Sequence, residues 1–312
     1  MPSPNRPFRE ALPAAPTATD TVAPPPTRGP SWWPEQWRQQ DDGAADGATN
    51  MAIDLALLDL AARTGVATLR TYAWDGETVS FGRNERVETG WDVSAMQAAG
   101  LSVVRRPTGG RALLHGADLT YAVALPLSRH VGWLEAYDAV NRRLLEAIRA
   151  MGVAATIVSD APPLRPEGAA CFAAPAAGEI VVNGRKLVGS AVWRTPTAYL
   201  QHGSILLRDT QRRLDAYRRA GADDAPSVSI GAALTELEAN GLAASNRGGA
   251  VPQETMAFWR ERGREALLTA FRLCEGAHRS EASEVDNRDV PVTLDVARHR
   301  ASVASPSWLW RR

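Results

Sequence analysis

The dipeptide Asn183-Gly184 constrains the fold of this chain more than any other feature of its sequence. It separates two apolar segments, residues 179–182 and 186–193. An Asn-Gly pair in this setting is the strongest short-range signal for a β-hairpin with a two-residue type I′ turn. A turn of this length fixes the strand register, and this register pairs Lys186 with Val181. The chain is therefore predicted to contain an antiparallel strand pair with Lys186 near its tip.

Hydrophobic periodicity predicts further strands and helices. The predicted strands are residues 68–74, 78–82, 102–105, 119–125, 154–158, 179–182, 186–193 and 200–207. The predicted helices are residues 51–64, 134–151 and 256–274, with a short helical turn near 214–217. Asn50 is the predicted N-cap of the first helix, Gly65 its end, and Asp54 is predicted to lie off its apolar face. Consecutive strands without regular alternation with helices predict an α+β fold, in which helices pack on a largely antiparallel mixed sheet.

The composition sets limits on the class of protein. The 312 residues, 45% of them hydrophobic, suffice for one sizeable domain with a full core. The 35 basic and 35 acidic side chains cancel, so no overall field favours nucleic acid or a membrane surface. No segment approaches the roughly 20 apolar residues of a membrane-spanning helix. The only two cysteines, Cys171 and Cys274, argue against a disulfide framework and indicate the cytoplasm.

Composition also divides the chain. Residues 1–30 contain nine prolines and lack the apolar core of a signal peptide, so a disordered leader is predicted there. Residues 31–275 hold nearly all the predicted strands and helices and form the predicted domain. Residues 276–312 are the predicted C-terminal tail.

The segment 105–115 has the composition of a ligand-binding loop between two strands. It reads Arg-Arg-Pro-Thr-Gly-Gly-Arg-Ala-Leu-Leu-His. Two adjacent glycines let the backbone approach a ligand, and their N–H groups can point at negative charge. The arginines add fixed positive charge. A glycine turn with solvated arginines is the alternative that spacing alone leaves open.

Cys171 and Lys186 are the candidates for covalent chemistry. Small residues surround Cys171 and leave room for a substrate beside the sulfur. A lysine on an otherwise apolar strand face is unusual, and an ammonium beside a thiol lowers the pKa of that thiol. The residues alone leave two other possibilities open: a buried structural cysteine, and a lysine at a sheet edge or with its amine reaching solvent.

Several blocks along the chain, in a fixed order, resemble the lipoate and biotin protein ligase superfamily, and more narrowly its cysteine-dependent octanoyltransferases. The blocks are residues 37–54, 70–83, 105–121, 170–191 and 201–207. The resemblance implies a biotin/lipoate protein ligase-type catalytic domain at residues 31–275. The last residues, with tryptophans at 308 and 310, resemble the Trp-containing C-terminal segment of the family. This resemblance implies that the end of the tail docks on the domain.

The resemblance also implies roles for individual residues. Cys171 is then the nucleophile that carries the acyl group as a thioester. Lys186 lowers the pKa of the thiol or stabilises the oxyanion. The implied substrate-binding residues are Arg106, Thr108, Gly109, Gly110, Arg111, His115, His202 and Gly203. For both histidines a purely structural role remains the alternative.

The reaction implied by the resemblance transfers an octanoyl group from octanoyl-acyl carrier protein to a lysine of a lipoyl-type acceptor domain. Such acceptors include the glycine-cleavage H protein and 2-oxoacid dehydrogenase E2 subunits. No cofactor, ATP or metal is implied, because the donor thioester is already activated. Neither nucleic acid nor a membrane is an expected partner. An ATP-dependent lipoate–protein ligase and a non-catalytic acyl- or carrier-binding module are the rival hypotheses.

Two positions depart from the family pattern. Gly116 follows His115 where family members usually have an aspartate, although Asp118 retains a second acidic position. Arg111 occupies a position where the ATP-using ligases more often have a third glycine. A bulky cation there is expected to crowd the path of a nucleotide phosphate, which agrees with the octanoyltransferase hypothesis.

Overall fold

The computed structural model describes residues 29–35, 37–159, 177–208, 210–219, 253–272 and 292–310. Cys171 and Cys274, and nearly all of the predicted leader, lie outside the described residues. The strands are β1 (Trp37–Ala45), β2 (Ala67–Trp74), β3 (Thr78–Phe81), β4 (Ser102–Arg105), β5 (Leu113–His115), β6 (Asp118–Pro126), β7 (Thr156–Ile157), β8 (Ile180–Val182), β9 (Arg185–Lys186), β10 (Val188–Arg194) and β11 (Ala198–Leu206). The helices are α1 (Gly47–Thr64), α2 (Val87–Gly90), α3 (Val93–Ala98), α4 (Trp133–Ala150), α5 (Gln253–Arg272), α6 (Val292–Val303) and α7 (Pro306–Leu309), with a 3₁₀ helix at Gln211–Tyr217.

The described strands form three sheets. The main sheet has the order β1-β2-β6-β11-β10, and only its β1–β2 pair is parallel. A second sheet, β4-β3-β5, pairs β3 with β4 in parallel and with β5 antiparallel. The third, β7-β8-β9, is antiparallel. The predicted α+β fold with a largely antiparallel mixed sheet is confirmed.

Helices cover both faces of the main sheet, and β6 shows why. Its residues alternate between two cores, because successive side chains of a strand point to opposite faces. Tyr121 and Val123 pack into the core that contains α4 and α5. Ala122 and Ala124 belong to the core beneath α1, where small side chains let that helix lie close to the sheet.

The hairpin at the Asn183-Gly184 turn forms as predicted. Both turn residues have positive φ angles, 49° and 72°, as a type I′ turn requires. The register pairs Lys186 with Val181. The continuous strand predicted for residues 186–193 is wrong, because Leu187 separates β9 from β10 and the two strands belong to different sheets.

The predicted start of the first helix is also wrong. Asp46, not Asn50, is the N-cap of α1, and its carboxylate accepts a hydrogen bond from the Thr49 amide at 2.9 Å. Asn50 lies inside the first turn and is buried, because its side-chain amide donates to the carbonyls of Ala45 and Ala73 on the two neighbouring strands. The helix ends at Gly65, which has a left-handed φ of 75°, as predicted.

Two further features of the fold bear on the site. The last described segment contacts β4, where the Trp308 indole donates to the Arg105 carbonyl at 2.8 Å and the Arg105 side chain donates to the Leu309 carbonyl at 3.0 Å. Among the described residues, no helix combines the length and the apolar character needed to cross a bilayer. The segment boundaries predicted at residues 30 and 275 remain predictions.

Candidate active site

A pocket lies between the α1-facing side of the main sheet and the small sheet of β3 and β5. It encloses about 360 Å³, part of it open to solvent. Its lining consists of Met51, Tyr72, Trp74, Ser80, Arg106, Leu113, His115, Thr120, Gly189, Ser190, Ala191, His202, Gly203 and Ser204. Eight of these fourteen residues have polar side chains, but the surface that the pocket exposes is mostly apolar, as is usual for a small-molecule site.

Four of the predicted substrate-binding residues line this pocket: Arg106, His115, His202 and Gly203. They come from sequence blocks almost 100 residues apart, which the fold brings together. Thr108 hydrogen-bonds to His202 and lies directly behind the lining. The three residues 109–111 belong to the same loop as Arg106 and Thr108 but do not line the pocket.

The Arg106 side chain holds the shape of this loop. Its guanidinium donates to the carbonyl oxygens of Gly109 at 3.0 Å and Arg111 at 2.7 Å, and to the Ser80 hydroxyl at 3.0 Å. Such bonds fix backbone that would otherwise need water or a ligand. Arg106 therefore ties the loop to β3 as well as facing the pocket.

The two predicted loop glycines have different surroundings. Gly110 has a φ of 88°, a conformation that favours glycine. A β-carbon added to Gly82 would lie only 1.8 Å from the Gly110 carbonyl oxygen, so the backbones at these two glycines are in direct contact. An added Cβ at Gly109 would meet no atom within 4 Å. The close approach at Gly110 is thus to the chain's own backbone.

His202 belongs to a buried hydrogen-bonded chain. Its Nδ1 lies 2.7 Å from Asp54 Oδ2 and its Nε2 lies 2.6 Å from the Thr108 hydroxyl. Asp54 is fully buried, contrary to the prediction from the helix pattern, because Arg70 donates to its other oxygen at 2.7 Å. Tyr72 also donates to Asp54 at 3.1 Å, and burial raises the pKa of that phenol. This hydrogen-bonded chain joins α1, β2 and β11 to the loop that contains Thr108.

His115 belongs to a second hydrogen-bonded chain. Its Nδ1 lies 2.8 Å from Asp118 Oδ2, and its Nε2 lies 2.8 Å from the Ser80 hydroxyl. Burial lowers the pKa of His115 despite the nearby carboxylate, so the imidazole is neutral at neutral pH. Burial acts to raise the pKa of Asp118, but the charge and hydrogen bond of His115 outweigh it and hold that pKa at about 2.

The backbone explains why a glycine stands at position 116, where family members usually have an aspartate. Gly116 has a φ of 122°, which an aspartate would adopt only with strain. Its amide donates to Asp118 Oδ1 at 2.9 Å. The glycine therefore lets the chain turn so that Asp118 approaches His115.

Lys186 is buried and paired with a carboxylate that the sequence analysis missed. Its Nζ lies 2.5 Å from Glu179 Oε1, and the two side chains are 1% and 4% exposed. Two buried charges of opposite sign compensate each other where a lone ammonium would be costly. A signal was available: the register pairs Lys186 with Val181, which makes Glu179 its diagonal neighbour. Lys186 does not line the pocket.

A buried polar chain leads from the pocket towards this ion pair. The Ser190 hydroxyl lies 2.7 Å from the Tyr121 hydroxyl, to which the Gln201 amide donates at 3.1 Å. Gln201 also donates to Asn141 at 2.8 Å, and Asn141 donates to the carbonyl of Gly178, next to Glu179. Burial raises the pKa of the Tyr121 phenol well above its ordinary value, so its hydroxyl keeps its proton.

Gly203 lines the pocket with backbone alone. A Cβ there would lie 2.3 Å from the Gly189 carbonyl and 2.9 Å from the Tyr121 hydroxyl. Any side chain would therefore displace β10 or Tyr121. The role of Gly203 is to let two strands and a phenol pack closely at the pocket wall.

Comparison with known proteins gives a family match. A family model described as the lipoyl protein ligase A/B catalytic domain matches residues 46–240. Over 168 residues the chain is 42% identical to an octanoyltransferase LipM of Geobacillus kaustophilus strain HTA426, covering 51% of this chain and 60% of that protein. The chain thus spans about 60% of the length of this curated relative.

Solved structures share the fold. A crystal structure of lipoate-protein ligase A bound with ATP matches with a TM-score of 0.60 and 18% identity, covering 88% of this chain and 98% of that one. A bipartite lipoate protein ligase from Thermoplasma acidophilum, analysed with its E2 lipoyl domain, matches with a TM-score of 0.57 and 18% identity, covering 88% and 96%. At this identity the likeness concerns the fold alone.

Proposed function

Because the chain belongs to the lipoyl protein ligase A/B catalytic domain family, we propose that it is a cytoplasmic acyltransferase. It moves an octanoyl group from octanoyl-acyl carrier protein to the lysine of a lipoyl-type acceptor domain. The acceptor is of the class found in the glycine-cleavage H protein and 2-oxoacid dehydrogenase E2 subunits. The observation that supports this proposal most is the pocket, whose polar groups come from four of the blocks that resemble octanoyltransferases, residues 70–83, 105–121, 170–191 and 201–207.

The identity to an octanoyltransferase supports this choice of reaction over other activities in the family. The pocket supports it physically. Its apolar wall, formed by Met51, Trp74 and Leu113, suits a hydrocarbon chain, because burying apolar surface is favourable. The neighbouring histidines and hydroxyls suit the polar end of an acyl group, where charge changes during transfer.

Covalent catalysis divides the transfer into two steps. In the first, the thiolate of Cys171 attacks the donor thioester, and the carrier thiol leaves. In the second, the amine of the acceptor lysine attacks the acyl-Cys171 thioester, an amide forms, and the Cys171 thiol is released. No other activated compound is consumed, since each step starts from a thioester.

Lys186 has two proposed tasks in this scheme: to lower the pKa of the Cys171 thiol and to stabilise the oxyanion of each addition. The ion pair with Glu179 refines the first task. Because the carboxylate offsets part of the positive field, the pKa of a nearby thiol falls less than it would beside a lone ammonium. The pair also fixes the position of the ammonium, which favours the second task.

Intact mass spectrometry tests the proposal directly. The protein is incubated with octanoyl-acyl carrier protein, and one octanoyl adduct is expected on the wild type and on Cys274→Ala. Cys171→Ala is expected to form none and to lose transfer to a lipoyl domain. Full transfer by Cys171→Ala contradicts the covalent route.

The same assay separates the rival functions. Lipoylation that requires ATP and magnesium indicates a ligase. A protein that forms no adduct, and whose Cys171 is inert to a thiol reagent at neutral pH, indicates a binding module.

A further inference from the structure

We propose that Ser80, His115 and Asp118 form a proton relay that removes a proton from the acceptor amine during the second acyl transfer. This inference rests on the proposed function, because it assigns a task within that reaction. It concerns groups that the covalent chemistry of Cys171 does not use. Ser80 and His115 line the pocket, and Asp118 lies behind them.

The hydrogen bonds fix the direction of the relay. A carboxylate only accepts, so the bond between Asp118 and His115 Nδ1 places a hydrogen on Nδ1 and leaves a lone pair on Nε2. Ser80 therefore donates its hydroxyl hydrogen to Nε2 across 2.8 Å. Arg106 donates to the same hydroxyl oxygen at 3.0 Å, so one lone pair of Ser80 remains for a proton that comes from the pocket.

The imidazole is held in one orientation. The Trp74 ring stacks on His115 with centroids 3.9 Å apart and an angle of 18° between the planes. The Trp74 indole donates to the Thr120 hydroxyl at 2.9 Å, and Thr120 donates to Asp118 at 3.0 Å. Asp118 is thus oriented by the same residues that hold the ring, which is the preorganisation that proton transfer needs.

The two ends of the relay are in the required protonation states. The lowered pKa of His115 keeps its imidazole in the basic form at neutral pH. Asp118, with a pKa of about 2, remains a carboxylate that stabilises the imidazolium formed when a proton arrives.

The other histidine chain also reaches the pocket, through His202 and Tyr72, but both of these side chains bond to Asp54. Thr108, which occupies Nε2 of His202, does not line the pocket. Asp54 also bonds to Arg70, so its charge is shared with a permanent cation. These contacts bind the loop to α1 and the main sheet. In the chain through Ser80, the hydroxyl that bonds to the imidazole belongs to a residue that lines the pocket, whereas Thr108 in the other chain does not line it.

The free amine of the acceptor lysine attacks the thioester carbonyl carbon and a C–N bond forms. One amine proton passes to the Ser80 oxygen as the Ser80 hydrogen passes to His115 Nε2. The C–S bond then breaks, and the proton returns from the imidazolium to the departing thiolate. The products are an amide and a free thiol, and the relay is restored.

Single-turnover transfer from the isolated octanoyl-enzyme tests the relay. Two nucleophiles are compared: a lipoyl domain, whose lysine needs a base, and hydroxylamine, which reacts without one. Ser80→Ala is expected to slow transfer to the lipoyl domain by about 100-fold, the lower range for a general base. Release by hydroxylamine is expected to stay within about threefold. His115→Gln, which can still donate to Asp118, is expected to behave likewise.

Thr68→Val is the matched control, because it deletes a fully buried hydroxyl that makes no hydrogen bond within the described residues. Both rates are expected to be unchanged. Wild-type protein that never becomes acylated overturns the proposed function. Acylated Ser80→Ala that transfers to lysine at the wild-type rate overturns the relay alone. An equal loss with both nucleophiles also overturns the relay, since it indicates a structural role.

Discussion

Removing the charge of Glu179 should destabilise the fold far more than removing a typical surface charge. Glu179→Gln keeps the shape of the side chain but removes the carboxylate charge that pairs with the buried ammonium of Lys186. The two side chains are 4% and 1% exposed, so water cannot replace the lost partner. Breaking a buried ion pair on one side costs about 3–5 kcal/mol. We expect a loss of free energy of unfolding in that range.

Thermal unfolding followed by circular dichroism measures the effect. A domain of this size loses roughly 2–4 °C in midpoint per kcal/mol, so Glu179→Gln should unfold roughly 6–20 °C below the wild type. The control is Asp138→Asn, which breaks the pair between Asp138 and Arg142 on α4. Those side chains are 51% and 65% exposed, and the expected loss is below about 1 kcal/mol.

A double variant distinguishes an uncompensated charge from a lost contact. Glu179→Gln combined with Lys186→Met removes both charges and fills similar volume with an apolar chain. It should recover most of the lost stability, because replacing a whole buried pair is often neutral. The reasoning is refuted if the single variant unfolds within about 2 °C of the wild type, or if the double variant is less stable than the single one.

Three further variants test the site. Gly82→Ala should destabilise the fold by more than about 1 kcal/mol in chemical denaturation, because its Cβ would meet the Gly110 carbonyl at 1.8 Å; an unchanged midpoint contradicts the close approach. Asp118 has a folded pKa of about 2, below its usual 3.8, so it contributes roughly 2 kcal/mol that is present above pH 4 and lost as the pH falls towards 2. The free energy of unfolding of Asp118→Asn should not show this loss as the pH falls from 4 towards 2. A pH dependence parallel to that of the wild type contradicts the prediction. Lys186→Ala should raise the pH at which Cys171 is alkylated, by roughly one pH unit, with poor rescue by arginine, and superimposable profiles exclude the pKa-lowering role.

Local features of the site were predictable from the sequence. The hairpin register follows from two adjacent residues. A type I′ turn needs positive φ at both of them, and a turn of this length allows only one pairing of the flanking strands. His115 and Asp118 lie three residues apart, and the structure brings them within 2.8 Å. In each case the contact is formed by residues close in the chain, so no long-range fold had to be known.

Contacts between distant residues were not predictable in this way. The helix pattern predicts Asp54 on the polar face of α1, since a carboxylate is normally solvated there. In the fold it meets Arg70 from β2 and His202 from β11, 16 and 148 residues away. Those partners offset its burial, and no pattern within the helix contains them. Ser80 was missed for the same reason, because its partner His115 lies on a neighbouring strand.

The glycine at position 116 shows how the two kinds of information combine. The sequence shows only that a carboxylate common in the family is absent after His115. The structure shows that the backbone here has a φ of 122°, and that the Gly116 amide donates to Asp118. A side chain at 116 would strain this turn and weaken the approach of Asp118 to His115. The carboxylate that orients the imidazole is Asp118, which lies two residues beyond the position where the family's aspartate is absent.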